Sequence, residues 1–196
     1  MNKHFERQII AWGDESIRIS APVPTYLMAA TILPNDCDLA HLASLKPKGT
    51  IKLHWRELTD KVRLEAITEI AKIGGQTTIV AAAPLPKKKQ ERGRRKCLEL
   101  LLPELERLNV STLVLESRML KLNEKDIEML HALRVQNIVS NIRIEHAHAS
   151  EQEQLLVPDQ ILGAYGDYLN SNDESARWGQ SWETVLSKLT IMETEI

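Results

Sequence analysis

The chain has 196 residues, of which 43% are hydrophobic and 27% charged, and its formal net charge is −2 at pH 7. Such a length normally makes one domain that is stable without disulfides or structural metals. A net charge near zero excludes a polycation, so attraction to nucleic acid requires a local patch. Cys37 and Cys97 are far apart without metal-binding spacing, which indicates reduced thiols. With no secretion signal and no membrane-spanning segment, we expect a cytoplasmic protein.

The first third of the chain predicts mainly strands. "RQIIAWGD" and "SIRIS" are expected to be separate strands, and "YLMAATIL" follows the prolines of "APVPT". "DCDLAHLASL" predicts a short helix that begins with Asp36 or Asp38 as a cap. "GTIKLHWREL" alternates apolar and polar residues and predicts a further strand.

Helices and strands then alternate. "TDKVRLEAITEIAKIGG" predicts a helix capped by Thr59 and stopped at Gly74, and "TTIVAAAP" predicts a strand. A second helix is predicted from Gln90 to Leu108, with a kink or break at Pro103. "STLVLES" is a further strand, and "NEKDIEMLHALR" is an amphipathic helix with Asn123 as its cap.

The last quarter predicts one more strand and a helical end. "NIRIEHAHA" alternates like a strand, and Pro158 marks the start of a helix. The tail places four apolar residues on one helical stripe: Trp178, Trp182, Val185 and Leu189. Core packing is the usual role of such tryptophans, and a homo-oligomer interface is the alternative.

This order predicts an α/β domain with a mixed sheet flanked by helices, antiparallel early and parallel where helices intervene. We place the domain at residues 1–170 and a C-terminal helical extension, packed on the same domain, at residues 171–196.

Asp14, Glu116 and Asp159 each stand where an apolar segment meets a polar one. Groups at the carboxyl ends of strands converge on one crevice in open α/β sheets. Carboxylates gathered there repel one another unless cations join them, and Mg²⁺ or Mn²⁺ prefers such oxygen ligands. Two such ions about 4 Å apart can promote phosphodiester hydrolysis. Taken singly, each acid also suits an ordinary turn, strand end or first helical turn.

Four motifs together resemble an uncharacterised bacterial family with a ribonuclease H-like fold, whose members open on Asp-Glu-Ser-Gly. These are "WGDES", "KLHW", "VLES" and "LLVPDQILGAY", in matching order across residues 8–169. The resemblance implies a ribonuclease H-like sheet and a divalent-metal site formed by Asp14, Glu116 and Asp159. It also implies a role for His54 as an acid–base group or substrate contact.

The chain departs from this family at three positions. Ile17 replaces the glycine of the first motif, Lys52 replaces an acid two residues before His54, and Pro158 replaces an alanine. Lys52 therefore puts a cation where the family has a carboxylate. Glu15 and Glu57 are alternative sources of the missing acid, and the sequence does not choose between them.

Two further groups are candidates for chemistry. "KKKQERGRRK" concentrates cations that attract a phosphate backbone, unless it is only a solvated helix entry. Its predicted nucleic-acid-binding residues are Lys87, Lys88, Lys89, Arg92, Arg94 and Arg95. His146 and His148 lie on one face of a predicted strand, where they would bind a transition metal, relay protons or contact the acids.

The leading hypothesis is a metal-dependent nuclease that holds Mg²⁺ or Mn²⁺ with Asp14, Glu116 and Asp159. Lys52 and His54 would lie beside the ions, and the basic stretch would guide a nucleic acid. The competing hypothesis, which Lys52 favours, is a catalytically silent ribonuclease H-like module that binds nucleic acid or a protein partner.

Overall fold

A computed structural model describes residues 8–19, 21–50, 52–170 and 175–196. Its mixed sheet has six strands in the order β5-β4-β1-β2-β3-β6. The strands are β1 Ile9–Arg18, β2 Thr25–Ile32, β3 Gln76–Ala82, β4 Val110–Glu116, β5 Arg143–Ala147 and β6 Leu189–Thr194. β2 is antiparallel to β1 and β3, whereas the β1–β4, β4–β5 and β3–β6 pairs are parallel. The predicted α/β class with a mixed sheet is therefore confirmed.

Helices cover both faces of the sheet. They are α1 Ala40–Ser44, α2 Asp60–Ile73, α3 Gln90–Arg107, α4 Leu120–Val135, α5 Leu156–Asn170 and α6 Ser175–Leu186. The core on one face includes buried residues of α2, α5 and α6, and the core on the other face includes those of α3 and α4. We call these the α5 face and the α3 face.

β2 shows why the central strands are continuous apolar runs. Leu27 and Ala29 pack on the α5 face, while Tyr26, Met28 and Ala30 pack on the α3 face. Since successive side chains of a strand point to opposite faces, a strand buried on both sides needs apolar residues at every position.

Local signals place two helices correctly. Thr59 caps α2 by accepting a hydrogen bond from the Val62 N–H, and α2 ends at Gly74, whose φ of 75° suits a glycine. α3 runs through Pro103 without a break, so the expected break was wrong. The buried leucines on the sheet-facing side of α3 explain why the helix persists despite the local cost of proline.

The start of α4 differs from the prediction. α4 begins at Leu120, and Asn123 lies inside its first turn. The Asn123 side chain accepts a hydrogen bond from the Arg118 N–H and donates one to the Ser117 Oγ. Asn123 thus stabilises the connection between β4 and α4 and is not the N-cap of α4.

Two segments predicted as strands differ in the structure. "SIRIS" does not form a separate strand, because Ser16–Arg18 continue β1 and pair with β2 as far as Thr25. Within "GTIKLHWREL", Lys52, Leu53 and His54 have irregular backbone and a 3₁₀ turn follows at Trp55–Glu57, while Ile51 lies outside the described residues. The alternation of this segment has another cause: Leu53 and Trp55 are buried in the core of the α5 face, while His54 is exposed.

The C-terminal segment is helical only in part. Trp178, Trp182 and Val185 lie in α6 and pack in the core of the α5 face. Leu189 opens β6, a half-exposed edge strand that the predicted helical tail did not include. No helix in the described ranges is both long enough and apolar enough to cross a membrane.

Candidate functional site

Asp14 lies at the point where β1 separates from β4. The pairing of β1 with β4 extends to Gly13 and Leu115, whereas the pairing with β2 continues to Arg18. Beyond Gly13, therefore, β1 has a partner on one side and a crevice on the other. Because side chains alternate along a strand, Asp14 faces the α5 side and Glu15 the α3 side.

The acids predicted from the sequence meet around Lys52 in this crevice. The Lys52 Nζ donates a hydrogen bond to Asp14 Oδ2 at 3.2 Å and another to Glu116 Oε2. It also lies 4.0 Å from Asp159 Oδ1. We call Asp14, Glu116 and Asp159 the acid cluster. Its members come from β1, the end of β4 and the first turn of α5.

Burial and repulsion perturb the cluster. Burial raises the pKa of Asp14 well above its ordinary value, Lys52 opposes this rise, and Asp159 and Glu116 add to it. The pKa of Asp159 is raised by burial in the same way. Burial alone would lower the pKa of Lys52, but the three acids raise it above its ordinary value. Lys52 is thus a permanent cation at neutral pH, and the ionised cluster with Lys52 carries a net charge of −2.

Gln160 joins the segment that carries Lys52 to α5. Its side chain is fully buried, and its Nε2 donates hydrogen bonds to the Leu53 carbonyl and to Asp159 Oδ2, both at 2.8 Å. Within the described part of the chain, Gln160 Oε1 has no hydrogen-bond partner. Buried amide oxygens without a partner are uncommon, and this one belongs to the side chain that orients the Asp159 carboxylate.

The cluster is not arranged as a ready metal shell. Among the described residues, no group of three or more His, Cys, Asp or Glu side chains is placed to hold a metal ion. The Lys52 ammonium lies between the carboxylates, which accounts for this arrangement. The donor set itself, three carboxylates, has the chemistry that Mg²⁺ and Mn²⁺ prefer. An ion would require Lys52 to move aside or to share the carboxylates.

His54 and Glu57 lie near the cluster but outside it. Both are exposed, and both line a cleft of about 570 Å³ that Asp159 also lines. A positive charge on His54 would lower the pKa of Asp159, which indicates that the two are close. His54 is thus placed to contact a substrate in this cleft, and Glu57 is on its wall.

Glu15 belongs to a separate network on the α3 face. It accepts hydrogen bonds from the Tyr26 hydroxyl and from Arg94 Nη1. The Arg94 Nε and Nη2 donate to both oxygens of Asp126, at 2.8 and 2.7 Å. Arg118 Nη2 donates to Asp126 Oδ1 at 3.2 Å. We call this set the Arg94 network.

The Arg94 network also contains His146. The His146 Nε2 lies 2.9 Å from Asp126 Oδ2, so His146 faces the side of the sheet opposite the acid cluster. Burial would raise the pKa of Asp126, but Arg94, His146 and Arg118 together lower it to about 2. His148 is exposed just beyond β5. The structure therefore places His146 away from the acid cluster.

The predicted basic stretch divides into two parts. Lys87, Lys88 and Lys89 precede α3 and are exposed, as are Arg92 and Arg95 in its first turns. Arg94 is only 3% exposed and is engaged by Glu15 and Asp126, so it does not belong to the surface patch.

Arg94 was predicted as a nucleic-acid-binding residue and not as a buried one, and Asp126 and Gln160 were not identified from the sequence, although signals existed. Arg94 shares a helical stripe with Cys97, Leu98 and Leu101, and all four are buried. Asp126 likewise precedes Leu130 by four residues on the buried side of α4. A charged residue on an apolar stripe indicates a buried ion pair. Gln160 gives a weaker signal, as a polar residue inside the apolar start of α5.

Comparison with protein-family models, curated proteins and solved structures finds no match to this chain. The function is therefore inferred from the geometry of the acid cluster and the clefts around it.

Proposed function

We propose that the protein is a metal-dependent phosphodiester hydrolase with a ribonuclease H-like fold, and that Asp14, Glu116 and Asp159 form its reaction centre. The contact of Lys52 with all three carboxylates carries the proposal. Gathering four charged groups at a largely buried point costs desolvation free energy that apolar side chains would avoid. Perturbed carboxyl pKa values at such a point are typical of functional sites.

The fold supports this proposal. The first three strands are antiparallel neighbours, and β4 and β5 follow in parallel with helices between them. Asp14 and Glu116 lie on the adjacent strands β1 and β4, and Asp159 lies in the first turn of α5, which packs against β1. This is the arrangement that the family resemblance implies for a ribonuclease H-like metal site.

The charge of the site matches one divalent cation. When all three acids are ionised, Lys52 leaves a net charge of −2 on the acid cluster. Burial raises the pKa of Asp14 even with the ammonium present, and a bound dication would favour its ionised form. Mg²⁺ or Mn²⁺ held by Asp14, Glu116 and Asp159 would activate a water and stabilise the leaving oxygen of a phosphodiester. One ion, with Lys52 as the second cation, would neutralise the site.

The chain's own residues have separate roles in this proposal. Lys52 neutralises part of the carboxylate charge and offers its ammonium to a phosphate oxygen. His54, beside Asp159 at the cleft, exchanges a proton with the attacking or leaving oxygen. Gln160 fixes the orientation of the Asp159 carboxylate through its hydrogen bond.

The test is cleavage of labelled single- and double-stranded DNA and RNA during a titration of Mn²⁺ or Mg²⁺. We expect ion-dependent cleavage that EDTA abolishes and that Asp14→Asn eliminates. Asp36→Asn, which neutralises an exposed carboxylate between β2 and α1, is the matched control and should cleave at the wild-type rate. Cleavage that survives Asp14→Asn, or no cleavage of any of these substrates, would overturn the proposal.

The position of the Lys52 ammonium also favours a second candidate, a catalytically silent module that binds nucleic acid or a protein partner. In that case, Lys52 permanently takes the place of an ion. Calorimetric titration with Mn²⁺ separates the two candidates. The hydrolase should bind Mn²⁺ in the millimolar range or tighter, whereas the silent module should not bind it and should keep its affinity for its partner in Asp14→Asn.

A further inference from the structure

A groove of about 500 Å³ lies between α3 and α4, on the side of the sheet opposite the acid cluster. Lys89, Arg92 and Arg95 line it from the start of α3, and Lys125 lines it from α4. All four side chains are exposed. Cations from two separate helices therefore face one concave surface, and Lys125 lies outside the basic stretch that the sequence indicated.

Other charges of the groove already have partners. Glu91 accepts a hydrogen bond from Arg118 at 2.6 Å, and Asp126 is held by Arg94 at 2.7 Å. Glu128 also lines the groove, but the four exposed cations outnumber it. Arg95 Nε lies 3.7 Å from Glu99 Oε1, so Lys89, Arg92 and Lys125 supply the net positive charge that the open part of the groove offers to an anion.

The spacing of these cations suits a linear anion. Lys89, Arg92 and Arg95 follow one another at intervals of three residues, which is a rise of about 4.5 Å each along a helix. Several cations around one concave groove suit an extended polyanion, because a single phosphate would engage only some of them and a flat membrane surface would not enter the groove.

The buried side chain of Arg94 lines both the groove and a smaller cleft of about 180 Å³, and Asp14 and Glu116 line that cleft as well. Arg94 is engaged by Glu15 and Asp126, so an anion in the groove would meet its exposed cations and not Arg94.

We infer that the groove between α3 and α4 binds the sugar-phosphate backbone of a nucleic acid. Binding in the groove does not depend on the proposed hydrolase function. Affinity should depend on salt and only weakly on base sequence, because the cations of the groove would pair with phosphates.

The test measures the anisotropy of a fluorescein-labelled 20-nucleotide DNA strand in EDTA, where metal-dependent cleavage does not occur. The groove variant is Arg92→Glu combined with Lys125→Glu. The control is Lys61→Glu combined with Lys121→Glu, which reverses two exposed lysines outside the groove with the same change in net charge. Circular dichroism establishes that both variants are folded.

We expect the groove variant to bind at least about tenfold more weakly than wild type near physiological salt, because each of its two substitutions removes a cation that would neutralise a phosphate. Its slope of log affinity against log salt should be shallower by about 1.4, or about 0.7 for each phosphate of a single strand that is no longer neutralised. The control should bind within about twofold of wild type. The inference would be overturned if the groove variant bound the DNA strand as tightly as wild type, or if the control variant lost as much affinity as the groove variant.

Two further measurements separate this inference from its alternatives. Groove-dependent binding to phosphatidylserine vesicles without binding to the DNA strand would overturn it. Groove-dependent DNA binding in a protein that never cleaves would support it while refuting the hydrolase. If the groove variant binds DNA like wild type and cleaves it at the wild-type rate, the role of the groove in DNA binding is refuted. The proposed hydrolase function would still stand.

Discussion

Asp14 and Glu15 are consecutive residues of β1, yet their carboxylates accept hydrogen bonds from different cations on opposite faces of the sheet. Asp14 is bonded by Lys52 and Glu15 by Arg94. The two charged networks differ in their ratio of carboxylates to cations. The acid cluster has three carboxylates around one ammonium, whereas arginines surround the buried carboxylate of Asp126 in the Arg94 network. We therefore expect neutralising an acid of the acid cluster to raise the free energy of unfolding at neutral pH, and neutralising Asp126 to lower it.

Asp14→Asn should stabilise the protein at neutral pH, although it removes one partner of Lys52. Burial raises the pKa of Asp14, so the folded state binds this proton more tightly than the unfolded state. The stability from this group is fully present below its unfolded pKa and is lost as pH rises through its folded pKa. The variant escapes this loss, so its advantage in urea unfolding should grow as pH rises above about 4, the ordinary range of a carboxyl pKa.

Asp36→Asn is the control for this comparison and should not gain stability with rising pH in the same way. A less stable Asp14→Asn at pH 7 would contradict the expectation. A variant that is more stable but inactive would also show that its loss of cleavage is not a loss of folding.

Lys52→Met should destabilise the protein by on the order of 3 kcal/mol, because three carboxylates would remain together without a cation. Urea unfolding measures this loss, with the exposed Lys121→Met as the control. Mn²⁺ in millimolar amounts should then raise the melting temperature of Lys52→Met, since an ion that binds only the folded state stabilises it. A variant as stable as wild type would contradict the role of Lys52 as the compensating cation. No response to Mn²⁺ would count against a metal site.

Asp126→Asn should cost on the order of 3 to 5 kcal/mol at pH 7, because it leaves the buried Arg94 guanidinium without its main partner. Burial would raise the pKa of Asp126, but Arg94, His146 and Arg118 lower it to about 2. The stability from Asp126 is present above its unfolded pKa and is lost as pH falls through about 2. The difference from wild type in urea unfolding should therefore shrink below about pH 4. Glu128→Gln, exposed on the same helix, should change little.

Gly163→Ala should destabilise the protein by about 1 to 3 kcal/mol through overpacking. A Cβ at Gly163 would overlap the indole of Trp55. Trp55 already lies between the guanidinium of Arg63, 5.2 Å from its ring centroid, and the edge of Trp178 at 5.4 Å. Thermal unfolding and tryptophan fluorescence should both shift, whereas Leu169→Ala, exposed on the same helix, should leave the fluorescence unchanged.

Local signals explain which elements could be predicted from the sequence. The α2 helix carries its own start and stop in Thr59 and Gly74, and β2 is apolar at nearly every position because both its faces are buried. Such features depend on neighbouring residues alone. The mixed parallel and antiparallel sheet followed from the order of these elements.

The errors arose where pairing partners decide the structure. The "KLHW" segment alternates because one of its sides packs on the α5 face, and alternation alone does not distinguish this from a strand. Leu189 lies four residues after Val185, so it extended the helical stripe although it belongs to an edge strand beside β3. The pairing of β6 with the edge of β3 is visible only in the folded sheet.

The acid cluster was easier to predict than its surroundings. Asp14, Glu116 and Asp159 were identified from their places at the ends of apolar segments and from the resemblance. Alternation along β1 already requires Glu15 to face away from Asp14, which excludes Glu15 as the missing acid. The ammonium of Lys52 at the centre of the cluster depends on the path of irregular backbone, which no local pattern predicts.

That irregular backbone determines how Lys52 would be released. Lys52 is not part of any strand in the described sheet, and the hydrogen bond from Gln160 to the Leu53 carbonyl links its segment to α5. Swinging the ammonium outward would therefore leave the sheet ladder intact. In the proposed hydrolase, an arriving phosphate would draw the ammonium away as a dication entered, and substrate loading would then be an exchange of cations at the acid cluster.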